Sequence, residues 1–201
     1  MLRWVVFDYG EVISRRTAAL PAIAALLGVE PPEFERAYFA ERTAYDWGLP
    51  DLEYWQAVAA RLGKSVDAAL SARLTRTDVA GWAETAPESL RLLEDLHHQG
   101  VTMAVLSNAP SSFGRAAEQE TWARLFKHLI FSGDLSLAKP DAGIYRALLE
   151  TIDAPAAECL FFDDRQENVD GARRVGLHAE RWQGADAARG TLRSHGIPVR
   201  A

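Results

Sequence analysis

The sequence predicts an α/β fold: a parallel sheet flanked by helices, with a block of helices inserted after the first strand. Three observations carry that prediction. An uncharged apolar run, Trp4-Val5-Val6-Phe7, ends abruptly in an acid, Asp8. Such a run reads as a strand buried on both faces, as in parallel sheets. From residue 85 onward, strand-like and helix-like patterns alternate, the pattern of repeated strand–helix–strand units. Between about residues 15 and 82 there is no strand-like run, and the composition turns to Ala, Leu, Glu and Arg. The expected division is a core built from residues 1–14 and 83–201 and a helical insertion spanning 15–82.

The elements follow in order. After Asp8 comes Gly10, then a second apolar pair, Val12-Ile13. In the insertion, helices are expected over 21–27, 32–42, 51–62 and 66–76. The third is the clearest: Asp51 is placed to cap it, Trp55, Val58, Ala59 and Leu62 form one apolar stripe, and Gly63 ends it. Gly48-Leu49-Pro50 breaks the chain just before it. In the core, Pro87 suits a first helical position, Leu90, Leu93 and Leu96 form a stripe, and Gly100 closes that helix. A strand over 101–106 ends in Ser107-Asn108. A polar helical stretch and a short strand over 128–131 follow. Lys139-Pro140-Asp141 starts a helix that turns Ile144, Leu148 and Ile152 inward. A strand over 159–162 ends in Asp163-Asp164. Val169, Ala172 and Val175 stripe the next helix, which Gly176 terminates. A short strand over 178–182 and a helix over 185–194 complete the chain.

Composition narrows the class. The 201 residues suffice for one sizeable domain with a small insertion. Hydrophobic residues make up 48% and charged residues 25%, ordinary for a globular protein. A formal net charge of -6 and the lack of any Lys/Arg run argue against a nucleic-acid surface. No apolar stretch approaches bilayer-spanning length, so no membrane partner is expected. The first residues enter a strand without a basic segment and a long apolar one, so no signal peptide is read and a cytoplasmic setting is expected. The single cysteine, Cys159, cannot form an intrachain disulfide and reads as a small packing residue.

Function is legible in convergence. Asp8, Ser107-Asn108, Lys139 and Asp163-Asp164 all stand at or just beyond the carboxyl ends of different strands. Parallel strands place those ends on one edge, where open α/β sheets bind ligands. Singly, each has a plainer reading: a turn for Ser107-Asn108, a solvated loop residue for Lys139, a helix start for the acid pair. The adjacent acids are the hardest to dismiss. Like charges repel, and a divalent cation relieves that cost; hard carboxylate oxygens suit Mg²⁺.

The motifs FDYGEV, VLSN, AKPD and FFDDRQENVDGARRVG, in this order and spacing, resemble the haloacid dehalogenase-like (HAD) hydrolase superfamily. The resemblance covers the whole chain. It implies a Rossmann-like core with a small helical cap inserted after the first strand, in agreement with the block at 15–82. It further implies Mg²⁺-dependent hydrolysis of a small phosphate ester. By that resemblance Asp8 is the nucleophile and forms an aspartyl-phosphate. Asp8 and Asp164 supply side-chain oxygens to Mg²⁺, with the backbone carbonyl of Gly10 as a third ligand. Asp163 stands behind them, holding Lys139 or a metal-bound water. Ser107 and the amide of Asn108 hold phosphoryl oxygens. Lys139 neutralises Asp8 and the phosphate. Asn168 is a structural hydrogen-bonder near the metal edge.

The chain departs from the superfamily in one respect. Most of its phosphatases carry a second Asp two residues after the nucleophile, which protonates the leaving group and then activates water. Here that position is Gly10, and Glu11 follows; a subgroup of sugar-phosphate phosphatases resembles this chain in having Gly at that position. Either Glu11 takes part of that acid/base work, or the substrate has a good leaving group, such as an anomeric sugar phosphate. Two rival readings stand beside the phosphatase. One is a metal-independent 2-haloacid dehalogenase; those enzymes share Asp8, Ser107-Asn108 and Lys139 but usually lack the acid pair. The other is a non-catalytic protein that binds a phosphorylated ligand. Arg15, Arg16, Arg42, Tyr45 and Trp47 are candidates to reach the substrate from the insertion, although each reads more simply as a surface or packing residue. Trp55 reads as core, and His97 and His98 as solvated residues at a helix end.

Overall fold

The computed structural model of the chain describes residues 2–200. Its core is a five-stranded, wholly parallel sheet: β1 (Trp4–Phe7), β2 (Thr102–Ser107), β3 (His128–Phe131), β4 (Cys159–Asp163) and β5 (His178–Arg181), in the order β3-β2-β1-β4-β5. Helices α1 (Leu20–Leu27), α2 (Pro31–Asp46), α3 (Asp51–Arg61) and α4 (Ala68–Trp82) lie between β1 and β2 with α5 (Pro87–His98). The remaining helices are α6 (Ser111–Ala117), α7 (Ser132–Leu135), α8 (Ala142–Ile152), α9 (Gln166–Arg174) and α10 (Ala185–Ser194). No helix among the described residues is long and apolar enough to cross a membrane.

The period-two alternation of β1 divides its residues between two cores. Val5 and Phe7 pack on one face with Leu92, Leu93 and Leu96 of α5 and Leu192 of α10. Trp4 and Val6 pack on the other with Ile144 and Leu148 of α8 and Val169 and Ala172 of α9. Cys159 is buried in this second core, as expected of a small packing residue. Helices α1 to α4 close on a third, separate core rich in aromatic rings, with Phe34, Tyr38, Tyr54 and Trp55 fully buried. Tyr45 and Tyr54 stack there with centroids 3.9 Å apart.

Two chain segments join this helical block to the sheet. Ser14 bridges Thr85, the Arg15 amide donates to the Glu84 carbonyl at 2.9 Å, and the Ala86 amide donates to the Ile13 carbonyl at 2.8 Å. The Tyr9 hydroxyl also donates to the Trp82 carbonyl at 2.9 Å.

Several expectations are corrected. Asp51 does not cap α3: Pro50 holds the cap position, and the Asp51 carboxylate accepts from the Tyr45 hydroxyl at 2.7 Å. The helix expected over 66–76 begins at Ala68, capped by Asp67, whose carboxylate accepts from the Leu70 amide at 2.8 Å, and it continues to Trp82. The helix expected to stop at residue 42 runs to Asp46. In α5, Leu92 is buried with Leu93 and Leu96, and Leu90 is only partly so. Tertiary packing extends both of these helices beyond the point where their polar sequence stops signalling a stripe.

Gly171 marks the tightest seam between α9 and the loop before α8. A Cβ there would lie 2.6 Å from the Pro140 carbonyl oxygen and 3.0 Å from the Tyr145 hydroxyl. Gly171→Ala is expected to cost about 1–3 kcal/mol through overpacking, read as a lower midpoint in thermal or urea unfolding.

Candidate active site

Strand register sets the site. Phe7 is level with Val105 and Phe162, so Asp8 lies beside Leu106 and Asp163 at the carboxyl end of the sheet. The Asp8 amide donates to the Phe162 carbonyl at 2.9 Å. The chain leaves β1 for β2 on one side and reaches β4 on the other. Asp8 therefore stands at the topological switch point, where a crevice opens in sheets of this kind.

Lys139 organises the charges. Its backbone is clamped by the Asn108 side chain: the Lys139 amide donates to Oδ1 at 2.8 Å, and Nδ2 donates to the Lys139 carbonyl at 2.9 Å. Its buried ammonium faces three acceptors, Asp8 Oδ1 at 2.8 Å, Asp163 Oδ2 at 2.7 Å and the Leu106 carbonyl at 2.9 Å. Three donors thus meet three acceptors. Burial by itself lowers the lysine pKa, but Asp163 and Asp8 outweigh it and hold the ammonium above its ordinary value.

The acids play different parts. Asp163 is saturated by Lys139, by the Arg165 amide at 2.9 Å and by Asn168 Nδ2 at 3.0 and 3.1 Å. Asp8 Oδ1 accepts from the Tyr9 amide at 2.7 Å as well as from Lys139, which fixes the carboxylate's rotation. Among the described residues no hydrogen bond reaches Asp8 Oδ2. Burial pushes the Asp8 pKa up to about 7; Lys139 opposes the rise, and Asp163 and Asp164 add to it. Burial and Asp163 also raise Asp164. Asp8, Asp163 and Asp164 each offer an oxygen within 4.8 Å of the others. Three carboxylates therefore crowd together, and one ammonium pairs with two of them.

A cavity of about 340 Å³ opens on this group. Ser107, Asn108, Gly10, Glu11, Asp164 and Asn168 line it from the core; Phe39, Arg42, Thr43 and Asp46 of α2 and Trp82 of α4 line it from the helical block. Glu11 is exposed and holds a left-handed backbone, φ 55°, with its amide donating to Ser14 Oγ at 3.4 Å. Of the five candidates from the insertion, only Arg42 reaches the cavity. Arg15 and Arg16 pair with Glu84 and Glu35 at 3.0 and 3.1 Å on the surface. Tyr45 is buried, and Trp47 is exposed outside the cavity. Phe39, Thr43, Asp46 and Trp82 were not legible as site residues. Ending α2 at residue 42 hides Thr43 and Asp46. The signal that could have revealed Asp46 is the Arg42–Asp46 pair at i, i+4.

Fold and site together define a doubly wound α/β protein with an acidic cluster at the carboxyl edge of its sheet. A family model for haloacid dehalogenase-like hydrolases matches residues 3–176, and the chain belongs to that family. Phosphatase MT3486 of Mycobacterium tuberculosis is 27% identical to it over 187 residues, 87% of this chain and 84% of its own length. Several other curated relatives are matched over only 32% to 44% of their own length. The L-2-haloacid dehalogenase of Xanthobacter autotrophicus superposes with a TM-score of 0.74 at 19% identity, covering 98% of this chain and 85% of that one. The enzyme bt-2542 of Bacteroides thetaiotaomicron, solved with magnesium and inorganic phosphate, superposes with a TM-score of 0.70 at 17% identity, covering 90% and 94%. At these identities the structural likeness speaks for the fold.

Proposed function

We propose that the chain is a Mg²⁺-dependent phosphatase of small phosphate esters that works through an aspartyl-phosphate on Asp8. One observation carries this reading: three carboxylates lie within 4.8 Å of one another, and the single lysine among them pairs with only two, Asp8 and Asp163. Such a group is costly unless a cation joins it. The donors fit magnesium. They are hard oxygens, and Asp163 is already saturated, which leaves Asp8 and Asp164, with the Gly10 carbonyl, to hold the ion. When bound, magnesium would shield the phosphate from the carboxylates and stabilise charge in the transition state.

The protein's own residues do the rest. The Tyr9 amide and Lys139 hold one oxygen of Asp8, so the carboxylate is oriented before substrate arrives. Asp8 attacks phosphorus, and the bond to the leaving oxygen breaks. Water then attacks the acyl phosphate at phosphorus, which frees Asp8 and releases inorganic phosphate. Ser107 and the Asn108 amide are proposed to hold phosphoryl oxygens, and Lys139 to balance their charge. Asn168 keeps Asp163 in place, and the residues of the 15–82 block that line the cavity are proposed to select the substrate and exclude water. MT3486 is named a phosphatase, and bt-2542 binds magnesium and phosphate in its crystals; both lend support.

A panel of phosphate esters assayed with and without Mg²⁺ tests the proposal. Turnover only with the metal is the expected result. Halide release from 2-chloropropionate in EDTA would select the dehalogenase instead, and binding of phosphorylated ligands without any turnover would select a binding protein. A second readout needs no turnover. Mg²⁺ at a hundredfold its dissociation constant contributes ~2.7 kcal/mol. For a chain of this size that raises the melting temperature by about 5–10 °C. Asp164→Asn is expected to remove most of that rise.

A further inference from the structure

The phosphatase reading leaves a chemical gap: no carboxyl stands at residue 10 to protonate the leaving group. We propose that Asp46, at the last turn of α2, fills it as the general acid and base. This rests on the phosphatase reading and adds a residue to it.

Position is the first support. Asp46 lines the cavity that Asp8, Ser107 and Lys139 line from the opposite side. Its place over the phosphoryl loop is tightly held. The Asp46 carbonyl accepts from Ser132 Oγ, which itself accepts from the Ala109 amide at 2.9 Å, so one hydroxyl ties the end of α2 to the loop after β2. Gly48 lets that end seat against α7. Its φ is +99°, and a Cβ would lie 2.7 Å from the Gly133 carbonyl oxygen.

Chemistry is the second support. The Asp46 carboxylate is largely buried, 16% exposed, and accepts from Arg42 Nε at 2.8 Å. Arg42 is itself held among the rings of Tyr38, Tyr45 and Trp82, with Asp78 3.4 Å away. The charged groups around Asp46 are thus Arg42 and Asp78 within the block and Lys139 from the core; Asp134 of α7 is engaged by Arg115 at 2.5 Å. Burial pushes Asp46 up to about 6, with Arg42 opposing, so both protonation states are accessible near neutrality. Glu11, the rival, is exposed to solvent.

The step balances. As Asp8 attacks and the phosphorus–oxygen bond breaks, the leaving oxygen takes the Asp46 proton and departs as an alcohol. In the second half, water gives a proton to Asp46 as its oxygen attacks the acyl phosphate, and the acid is restored.

Asp46→Asn preserves an acceptor for Arg42 and isolates the proton. With the Mg²⁺-loaded enzyme, kcat on alkyl phosphates is expected to fall ~10²–10⁴-fold. On p-nitrophenyl phosphate, whose leaving group needs no proton, phosphorylation persists while hydrolysis of the intermediate slows. A burst of one nitrophenol per site should follow, which a merely structural role would not give. Adding Gly10→Asp to Asp46→Asn should restore turnover, because a Cβ at Gly10 meets nothing within 4 Å. Three outcomes overturn the proposal: unchanged alkyl-phosphate turnover in Asp46→Asn, an equal loss on all esters with no burst, or the burst appearing in Glu11→Gln instead. An inactive wild-type enzyme, with no ester turned over, would sink the phosphatase reading itself and this assignment with it.

Discussion

Asp8→Asn is expected to lower turnover by at least ~10⁴-fold, the scale seen when a covalent nucleophile is removed. It should do so without unfolding the protein. The folded-state pKa of Asp8, about 7, lies above its ordinary value because burial disfavours the anion. A raised folded pKa means that this group's contribution is complete below the unfolded pKa near 4 and is lost as pH rises through about 7. Asparagine mimics the protonated form at every pH. In EDTA at pH 8 the variant should therefore melt at or above the wild-type temperature, by a few kcal/mol at most, and the difference should shrink toward pH 5. With Mg²⁺ the order should reverse, since only the wild type keeps both proposed side-chain ligands. A variant that retains turnover, or that melts well below wild type in EDTA, would contradict this account of the site.

Lys139→Met carries the largest expected loss of stability. It removes the one cation that Asp8 and Asp163 share, and it strips the Leu106 carbonyl of its donor. Breaking a buried ion pair from one side costs about 3–5 kcal/mol. For a chain of this length that is a fall of roughly 6–20 °C in melting temperature. Turnover should also fall by ~10²–10³-fold, since a preorganised positive charge is lost from the proposed phosphoryl site. The deficit should be greatest near pH 8 and diminish as pH drops and Asp8 takes up a proton. Mg²⁺ should recover part of the stability, because it supplies charge to the same carboxylates. Differential scanning fluorimetry across pH, with and without the metal, reads all of these at once. Equal melting of variant and wild type at pH 8 would show that Lys139 is not the charge holding the acids together.

The core was readable because burial on both faces leaves a strong imprint. Trp4–Phe7, Thr102–Ser107 and Cys159–Asp163 are nearly uninterrupted apolar runs, each followed by polar residues where the sheet ends. Those terminal residues, Asp8, Ser107-Asn108 and Asp163-Asp164, could be named from the sequence, and the structure gathers them with Lys139 at one edge of the sheet, where all but the buried Asp163 line one cavity. The helical block was read less well. Its helices are polar on the outside, so their ends depend on contacts made elsewhere. Asp51 sits where a cap belongs yet serves the Tyr45 hydroxyl, and α2 runs one turn further than its own pattern supports.

What the chain determined alone is the alternation of strands and helices, and with it the edge on which charged groups must collect. That information is local: a hydrophobic period and the residue that ends it. Tertiary structure decided which side chains face them from across the cavity. Arg42, Asp46 and Trp82 arrive there because two linking segments and one seam at Gly48 dock an independent aromatic core over the sheet. No spacing within α2 encodes that docking, since it depends on surfaces contributed by both parts of the chain.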